Sequence, residues 1–321
     1  MRLPVAFASL LLFLGSAPAG GALVLFAGDG TQQTTNPGAG LPWANVGSVG
    51  GGGGVYLGNF GGSYWVLSAS HLTGSGASLS NLVLDSGTFN FVPGSGVNVR
   101  NGDNSATDLT LFRISAAGAG ALALAGLPNL TLSTTAPTTG ANVVMVGRGG
   151  TEGSGSLNFW AVTINPGASD DVWVNQGGTS AGANAEGYFV GGSVGKRWGQ
   201  DTITAFASYN VGTGNTAAFY TTFDSGGGSP QGAGGDSGGA TFYYNGSSWE
   251  LTGILGAIAT FENQPGSTAV VGDVTFSASI ASYNSFITAT AIPEPSAVTL
   301  GLGVLAGGAT LVARQRKERG R

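Results

Sequence analysis

The sequence predicts an all-β fold made of many short strands. Of the 321 residues, 60 are glycine, and a helix tolerates glycine poorly because its backbone loses the most conformational freedom on ordering. Short runs rich in β-branched and aromatic residues recur along the chain, with turn-forming residues between them. Hydrophobic residues make up 42% of the chain, which is enough for a folded core.

Charge and cysteine content narrow the function classes. The chain has no cysteine, so its core must be stabilised by burial without disulfide bonds. Six of its 11 basic residues lie near the two ends, which leaves the body strongly acidic. We therefore expect no nucleic-acid partner, because binding to phosphates needs a basic surface. Nothing in the sequence calls for a cofactor or a metal ion.

The first 19 residues predict a secretory signal peptide. Arg2 precedes an apolar run at residues 5–14, and small residues follow up to Ala19. Signal peptidase is expected to cut after Ala19, or alternatively after Ala22. We therefore expect export across the inner membrane and a main domain over residues 20–290.

Six runs in this body predict strands because they combine apolar residues with high β-propensity. They lie at residues 64–67, 109–114, 142–146, 159–164, 240–244 and 249–255. Residues 245–248 read Asn-Gly-Ser-Ser and predict a hairpin turn, whereas the glycine run 50–54 predicts a flexible loop. The body has no strong helical period and no repeat of fixed length.

Three features follow one another at the C-terminus. Pro293-Glu294-Pro295 precedes an apolar segment at residues 297–313, and a cluster of basic residues ends the chain. The apolar segment is long enough to span a bilayer, and the basic cluster should stay in the cytoplasm. This order resembles the PEP-CTERM sorting signal of Gram-negative bacteria, here over residues 291–321. The resemblance implies processing by the membrane enzyme exosortase, and an ordinary tail anchor is the alternative.

Three polar residues stand where catalytic groups could be held. His71 is the only histidine and directly follows a predicted strand, which would hold a general base rigidly. Asp108 comes just before the strand at 109–114, and Asp103 and Asp85 are its rivals. Ser237 lies in a Gly-Gly-Asp-Ser-Gly-Gly turn, where flanking glycines would expose its hydroxyl and nearby N–H groups.

Together these segments resemble the trypsin/chymotrypsin superfamily of serine proteases. The chain order His, Asp, Ser is that of the superfamily. Three sequence boxes carry the resemblance, and they read Ser68-Ala69-Ser70-His71, Asp108-Leu109-Thr110-Leu111 and Gly235-Asp236-Ser237-Gly238-Gly239. The family's Ile-Val-Gly-Gly activation sequence is missing, and Gly256-Ala257-Ile258 stands where the family usually has Ser-Trp-Gly.

The resemblance implies two antiparallel six-stranded β-barrels with the active site between them. Ser237 would be the nucleophile, His71 the general base and then acid, and Asp108 the residue that orients the imidazole. The N–H groups of Gly235 and Ser237 would form the oxyanion hole, and Asp236 would shape it.

The resemblance also implies a substrate pocket. Gln231 lies six residues before the nucleophile, where relatives that cleave after Lys or Arg carry an Asp, and Gly256, Ala257 and Ile258 would line the pocket. A neutral pocket narrowed by Ile258 predicts small apolar side chains, such as those of Ala or Val, before the cleaved bond.

A buried Asp236 carboxylate would need a positive partner. Cleavage after Ala22 would give Leu23 a free amine, and the apolar start that follows suits insertion into the domain. We therefore predict that the Leu23 amine pairs with Asp236.

The sequence leaves three functions open. The complete set of His71, Asp108 and Ser237 favours an active serine endopeptidase that acts on protein or peptide substrates. The second is a protease-like domain without activity that serves as a surface binding module. The third is a glycine-rich structural or adhesive surface protein.

Overall fold

The structure is a computed structural model that describes residues 23–28, 32–72, 79–153, 155–165, 171–191 and 195–292. The predicted signal peptide and the segment from Pro293 onward, including the apolar run 297–313, lie outside these residues. Within the described ranges, no helix is both long and apolar enough to cross a bilayer.

The first half of the chain forms a closed β-barrel. Its strands are β2 (Val46–Val49), β3 (Gly52–Phe60), β4 (Ser63–Ala69), β5 (Leu82–Leu84), β6 (Gly87–Phe91), β7 (Val97–Arg100) and β8 (Ala106–Ser115), after a short β1 (Val24–Leu25). Six of them neighbour one another in the order β4-β3-β2-β5-β6-β8, and β8 pairs again with β4 to close the ring. Strand β7 pairs with β8 outside this ring.

The described residues of the second half form thirteen further strands. They are β9 (Thr131–Leu132), β10 (Asn142–Gly147), β11 (Asn158–Thr163), β12 (Val172–Gly177), β13 (Ala185–Phe189), β14 (Arg197–Thr202), β15 (Ala205–Tyr209), β16 (Thr216–Thr222), β17 (Pro230–Gln231), β18 (Ala240–Tyr244), β19 (Trp249–Ala259), β20 (Thr268–Val270) and β21 (Val274–Ser279). The main sheet has the order β14-β10-β18-β19-β21-β16-β15, with β9 beside β19. A four-stranded sheet, β12-β11-β13-β20, is separate from it, and β1 pairs with β17.

The predicted all-β class is confirmed, but a second closed barrel is not. The end strands β14 and β15 of the main sheet do not pair with each other and are instead consecutive in the chain. Between them, the Ile203 N–H donates to Ala141 beside β10, and the Thr204 N–H donates to Tyr220 of β16. Strands β14 and β15 therefore form one bent segment that pairs first with β10 and then with β16. No ladder joins β14 to β15.

All six predicted strands lie in or overlap observed ones, namely β4, β8, β10, β11, β18 and β19. The predicted hairpin turn joins β18 to β19, where the Asn245 side chain accepts hydrogen bonds from the N–H groups of Ser247 and Ser248. These elements depend on local patterns of apolar, β-branched and turn-forming residues, which sequence reasoning detects well.

The expectation of a loop at residues 50–54 is wrong for most of the run. Strand β3 begins at Gly52, and only Gly50 and Gly51 stay in the turn. A Cβ on Gly53 would lie 2.5 Å from the backbone nitrogen of Gly239, which is closer than real side chains approach. Glycine is present here because two backbones pack directly against each other.

The described residues also form two α-helices, α1 (Ala119–Ala125) and α2 (Ile280–Ala291), although the body has no strong helical period in its sequence. Helix α2 buries Ile280, Tyr283, Ile287 and Ala291, which lie on one face at spacings of three and four residues. Its other positions are largely Ser, Thr and Asn, which are weak helix formers. Tertiary packing therefore stabilises this helix more than local propensity does.

One apolar core spans both halves of the molecule. Strand β8 alternates, so that Leu109 and Leu111 join this shared core while Phe112 and Ile114 fill the barrel interior. From the second half, the shared core includes Val144, Val146, Phe242, Leu251, Ile254 and Phe276. Each large side chain buried in this way contributes about 1.5–3 kcal/mol, so the core holds the two halves in a fixed relationship.

Candidate active site

His71 lies at the end of strand β4, in a single 3-10 turn over Ser70–Leu72. Its Nδ1 atom is 2.8 Å from Oδ2 of Asp108, and its backbone N–H donates to Oδ1 of the same carboxylate at 2.9 Å. The side chain of His71 is 21% exposed, whereas that of Asp108 is fully buried. A buried carboxylate thus holds the imidazole by both its ring and its backbone, while one edge of the ring stays near the surface.

Asp108 lies inside strand β8 and not before it, contrary to the sequence-based expectation. Strands β4 and β8 are antiparallel neighbours, with Ala69 opposite Leu109. This register places Asp108 beside the turn that carries His71. The strand begins early because Arg100 of β7 already pairs with Ala106.

Three hydroxyl groups also bind the Asp108 carboxylate. Ser70 Oγ and Thr213 Oγ1 each lie 3.2 Å from Oδ1, and the Tyr209 hydroxyl lies 3.2 Å from Oδ2. Hydrogen bonds to a buried carboxylate offset the cost of removing it from water. Tyr209 and Thr213 come from over 100 positions away in the chain, and no local signal in the sequence indicates their role.

The two rival carboxylates have other partners. Asp103 is exposed and accepts hydrogen bonds from the N–H and hydroxyl of Ser105. Asp85 pairs with the buried Lys196 ammonium at 2.5 Å and lies 4.0 Å from the Arg148 guanidinium. Among the three candidates, Asp108 is the one that contacts His71.

Ser237 lies in the turn between β17 and β18, which docks on the barrel. The Gly53 N–H of β3 donates to the Ser237 carbonyl at 2.6 Å, and the Gly238 N–H donates to Leu255 of β19 at 2.7 Å. Gly238 has a φ of +82°, and a Cβ there would overlap the carbonyl of Gly53. The turn is therefore fixed between the two halves by contacts that only glycine permits.

The structure brings His71 and Asp108 into direct contact but leaves the Ser237 hydroxyl without a hydrogen bond to His71 among the described residues. The backbone of Ser237 lies beside the residue that follows His71, since a Cβ on Gly52 would lie 2.6 Å from both the Ser237 carbonyl oxygen and Leu72 Cδ1. A nucleophile and its base commonly stand further apart in a free enzyme than in its substrate complex.

The N–H groups of Gly235 and Ser237, which the sequence predicts as an oxyanion hole, differ from those of their neighbours in this turn. Within the described part of the chain, neither donates to a backbone carbonyl, whereas those of Asp236, Gly238 and Gly239 all do. Gly235 has a φ of +94°, a left-handed conformation that glycine adopts without strain. Two N–H donors without protein partners in one tight turn can stabilise a developing negative charge.

Asp236 lies buried behind this turn. Its carboxylate accepts hydrogen bonds from the N–H groups of Gly149 at 2.5 Å and Ala233 at 2.8 Å. Burial raises the pKa of Asp236 to about 7, while these hydrogen bonds and the positive charge of Arg197 partly oppose that shift. Leu23 is buried, and both it and Asp236 lie beside Gly147. A Cβ placed on Gly147 would overlap the Asp236 carboxylate and lie 3.3 Å from Leu23 Cγ.

The residues predicted to line a substrate pocket lie on β17 and β19. Gln231 is 1% exposed, and its amide contacts Val274 and Thr275 of β21. Ile258 is 37% exposed, and its Cγ2 atom would lie 3.3 Å from a Cβ placed on Gly232. Ala257 is partly buried, whereas Gly256 is buried and faces the Tyr209 hydroxyl.

No known protein-family model matches this chain, and no curated protein matches its sequence. Its structure is similar to an inactive mutant form of Rv3671c from M. tuberculosis H37Rv, with a TM-score of 0.42 and 14% identity over 83% of this chain and 98% of the other. It is similar to neuropsin, a serine protease of mouse brain, with a TM-score of 0.42 and 15% identity over 80% and 97% of the two chains. It is also similar to the NS6 protease of murine norovirus, with a TM-score of 0.38 and 12% identity over 74% and 92%.

Proposed function

We propose that this chain is an exported serine endopeptidase that cleaves peptide bonds through an acyl-enzyme intermediate. The observation that carries the proposal is the contact between the His71 imidazole and the buried Asp108 carboxylate. The pair comes from the closed barrel, and the serine comes from the second half of the chain.

The first chemical step is attack by Ser237. With its Nδ1 proton directed at Asp108, the neutral imidazole presents an unprotonated Nε2, which takes the proton from the Ser237 hydroxyl. The serine oxygen bonds to the substrate carbonyl carbon, and the electron pair of the carbonyl moves onto its oxygen. The N–H groups of Gly235 and Ser237 stabilise that negative charge.

The second step releases the products. His71 returns its proton to the leaving amine as the carbon–nitrogen bond breaks, which leaves an acyl group on Ser237. A water molecule then attacks the acyl group, and His71 again serves first as base and then as acid. The Asp108 carboxylate stays ionised throughout and stabilises the imidazolium whenever it forms.

Covalent labelling of the full chain with a fluorophosphonate tests this function. We expect a stoichiometric adduct on Ser237, because only an activated serine displaces fluoride from this reagent at a useful rate. Ser237→Ala is the matched control and should take up no label. Wild-type protein that is folded by circular dichroism but forms no adduct and cleaves no peptide would favour the binding module.

Export and tail processing belong to the same proposal. Signal peptidase would remove the N-terminal segment, and exosortase would act near Pro293-Glu294-Pro295. Intact-mass measurement of the mature surface protein, made in a Gram-negative host with exosortase, tests this step. We expect a mass that lacks the apolar segment 297–313, whereas a chain that still ends at Arg321 would indicate a plain tail anchor.

A further inference from the structure

The oxygen of Asp108 that receives His71 has a second donor. The Tyr209 hydroxyl lies 3.2 Å from Oδ2, and His71 Nδ1 lies 2.8 Å from the same atom. Tyr209 ends strand β15 and is only 3% exposed, so water does not compete for this hydrogen bond. We propose that Tyr209 is a positioning residue that holds the Asp108 carboxylate in the orientation that His71 requires.

Packing leaves the Tyr209 hydroxyl few alternatives. Its ring packs against Phe276 at a centroid distance of 5.9 Å, within the core that the two halves share. The hydroxyl occupies the space beside Gly256, where the Cβ of any other residue would overlap it. Gly256 and Tyr209 therefore form a matched pair, in which the absence of a side chain on β19 admits the hydroxyl from β15.

The protonation of Tyr209 suits this role. Burial and the neighbouring Asp108 carboxylate raise the pKa of Tyr209 well above 10. The hydroxyl therefore keeps its proton at any pH at which the protein works, and it donates that proton to the carboxylate. A tyrosinate next to a buried carboxylate would instead place two negative charges together.

The two oxygens of Asp108 are fixed from different directions. Thr213 and Ser70 donate to Oδ1, while Tyr209 donates to Oδ2 beside His71. Without the Tyr209 hydroxyl, Oδ2 would lose one of its two donors and would accept a hydrogen bond from His71 Nδ1 alone. That end of the carboxylate would then be less firmly held. The hydrogen bond from Nδ1–H to Oδ2 should then strengthen, because Oδ2 has lost its competing donor, while the carboxylate itself becomes free to turn away from the orientation that proton transfer requires.

Proton NMR of Tyr209→Phe in the full chain tests the proposal without using activity. His71 is the only histidine, so the resonance of its Nδ1 proton has one assignment. We expect that resonance to move downfield in Tyr209→Phe, because the competing donor on Oδ2 has been removed. An unchanged resonance in a folded Tyr209→Phe protein would overturn the proposal.

Tyr283→Phe is the matched control. Tyr283 is also 3% exposed in the shared core, but its hydroxyl contacts Asn101 and the Ala217 N–H and not Asp108. This variant should lower stability yet leave the Nδ1 resonance in place. Equal shifts in the two variants would show a general response of the core and would count against Tyr209. Gly256→Ala should reproduce the shift of Tyr209→Phe, since its Cβ displaces the hydroxyl.

A wild-type measurement covers the case in which Tyr209→Phe does not fold. Both protons point at one oxygen, so a nuclear Overhauser effect should connect the Tyr209 hydroxyl proton with the His71 Nδ1 proton. Its absence, with both protons observed, would overturn the proposal.

The kinetic part of the inference rests on the proposed protease function. Tyr209→Phe should lower kcat roughly tenfold and leave KM unchanged, because the hydroxyl touches no substrate and acts only through Asp108. A protein that shows the NMR shift but no proteolysis would refute the protease function and leave the Tyr209 contact intact. A protease whose kcat is unaffected by Tyr209→Phe would refute the positioning role alone.

Discussion

Asp108 Oδ2 lies 2.8 Å from His71 Nδ1, and the carboxylate that makes this contact is fully buried while the imidazole is 21% exposed. The contact joins the 3-10 turn that follows β4 to the neighbouring strand β8, so the register of the β4–β8 ladder sets how closely the two residues approach. Ser237 reaches the same region from the second half of the chain, on a turn that docks on β3. The proposed chemistry therefore depends on how firmly the two halves are held together.

The proposed nucleophile and base should behave as one unit. Ser237→Ala and His71→Ala should each remove most of kcat, because neither group can carry out the attack alone. The double variant should be scarcely slower than either single variant. Steady-state kinetics on a peptide substrate measure all three, and additive losses would show that the two residues act independently.

The identity of the carboxylate that orients His71 can be tested with two variants. If Asp108 orients His71 as proposed, Asp108→Asn should lower kcat by roughly ten-thousand-fold, because the amide favours the wrong imidazole tautomer. Asp103→Asn is the control, since that side chain is exposed and binds only Ser105 and its own turn. A large loss in Asp103→Asn beside a small one in Asp108→Asn would contradict the geometry.

Specificity should favour small apolar side chains before the cleaved bond. Gln231 is neutral, and Ile258 occupies space near Gly232, so a long cation would lack both a partner and room. Profiling with a peptide library measures this preference. Ile258→Gly should widen acceptance toward larger apolar residues, whereas efficient cleavage after Arg by the wild-type protein would refute this assignment of the pocket.

The N-terminus of the mature protein offers a fourth test. Leu23 is buried close to Asp236, and we predict that a free Leu23 amine pairs with that carboxylate. Edman sequencing of active protein should then begin at Leu23. An active protein whose chain begins well past Gly28 would exclude the pairing.

Stability should fall between about pH 4 and pH 7. Burial raises the pKa of Asp273 to about 7 from an ordinary value of 3.8, and Asp236 is raised to about 7 in the same way. A folded state with raised carboxyl pKa values binds protons more tightly than the unfolded chain. The stabilisation is complete below the unfolded pKa and is lost as pH rises through the folded pKa.

Asp273→Asn tests this dependence away from the candidate active site. The Asp273 carboxylate accepts hydrogen bonds from Val270 and Gln264 through Oδ2, while Oδ1 has no hydrogen-bond partner among the described residues. A neutral amide removes the cost of a buried charge. The free energy of unfolding at pH 8, measured by denaturant titration, should therefore rise by on the order of 2 kcal/mol. The variant should also lose less stability between pH 5 and pH 7 than the wild-type protein. Glu262→Gln, on the partly exposed loop nearby, is the control and should change neither quantity.

The sequence by itself determined the all-β class, six of the strands, the hairpin at residues 245–248 and the three segments that carry His71, Asp108 and Ser237. These features depend on the order of neighbouring residues, because strand alternation and turn chemistry are local properties. The sequence favoured Asp108 through the family resemblance and left Asp103 and Asp85 as rivals, and it is strand register, a tertiary property, that places Asp108 beside His71. Tertiary packing also places glycines 52–54 in strand β3, and it brings the Tyr209 hydroxyl within hydrogen-bond distance of Asp108, 101 positions earlier in the chain. Both outcomes require two distant backbone segments to approach closely, and no local pattern encodes which segments will meet.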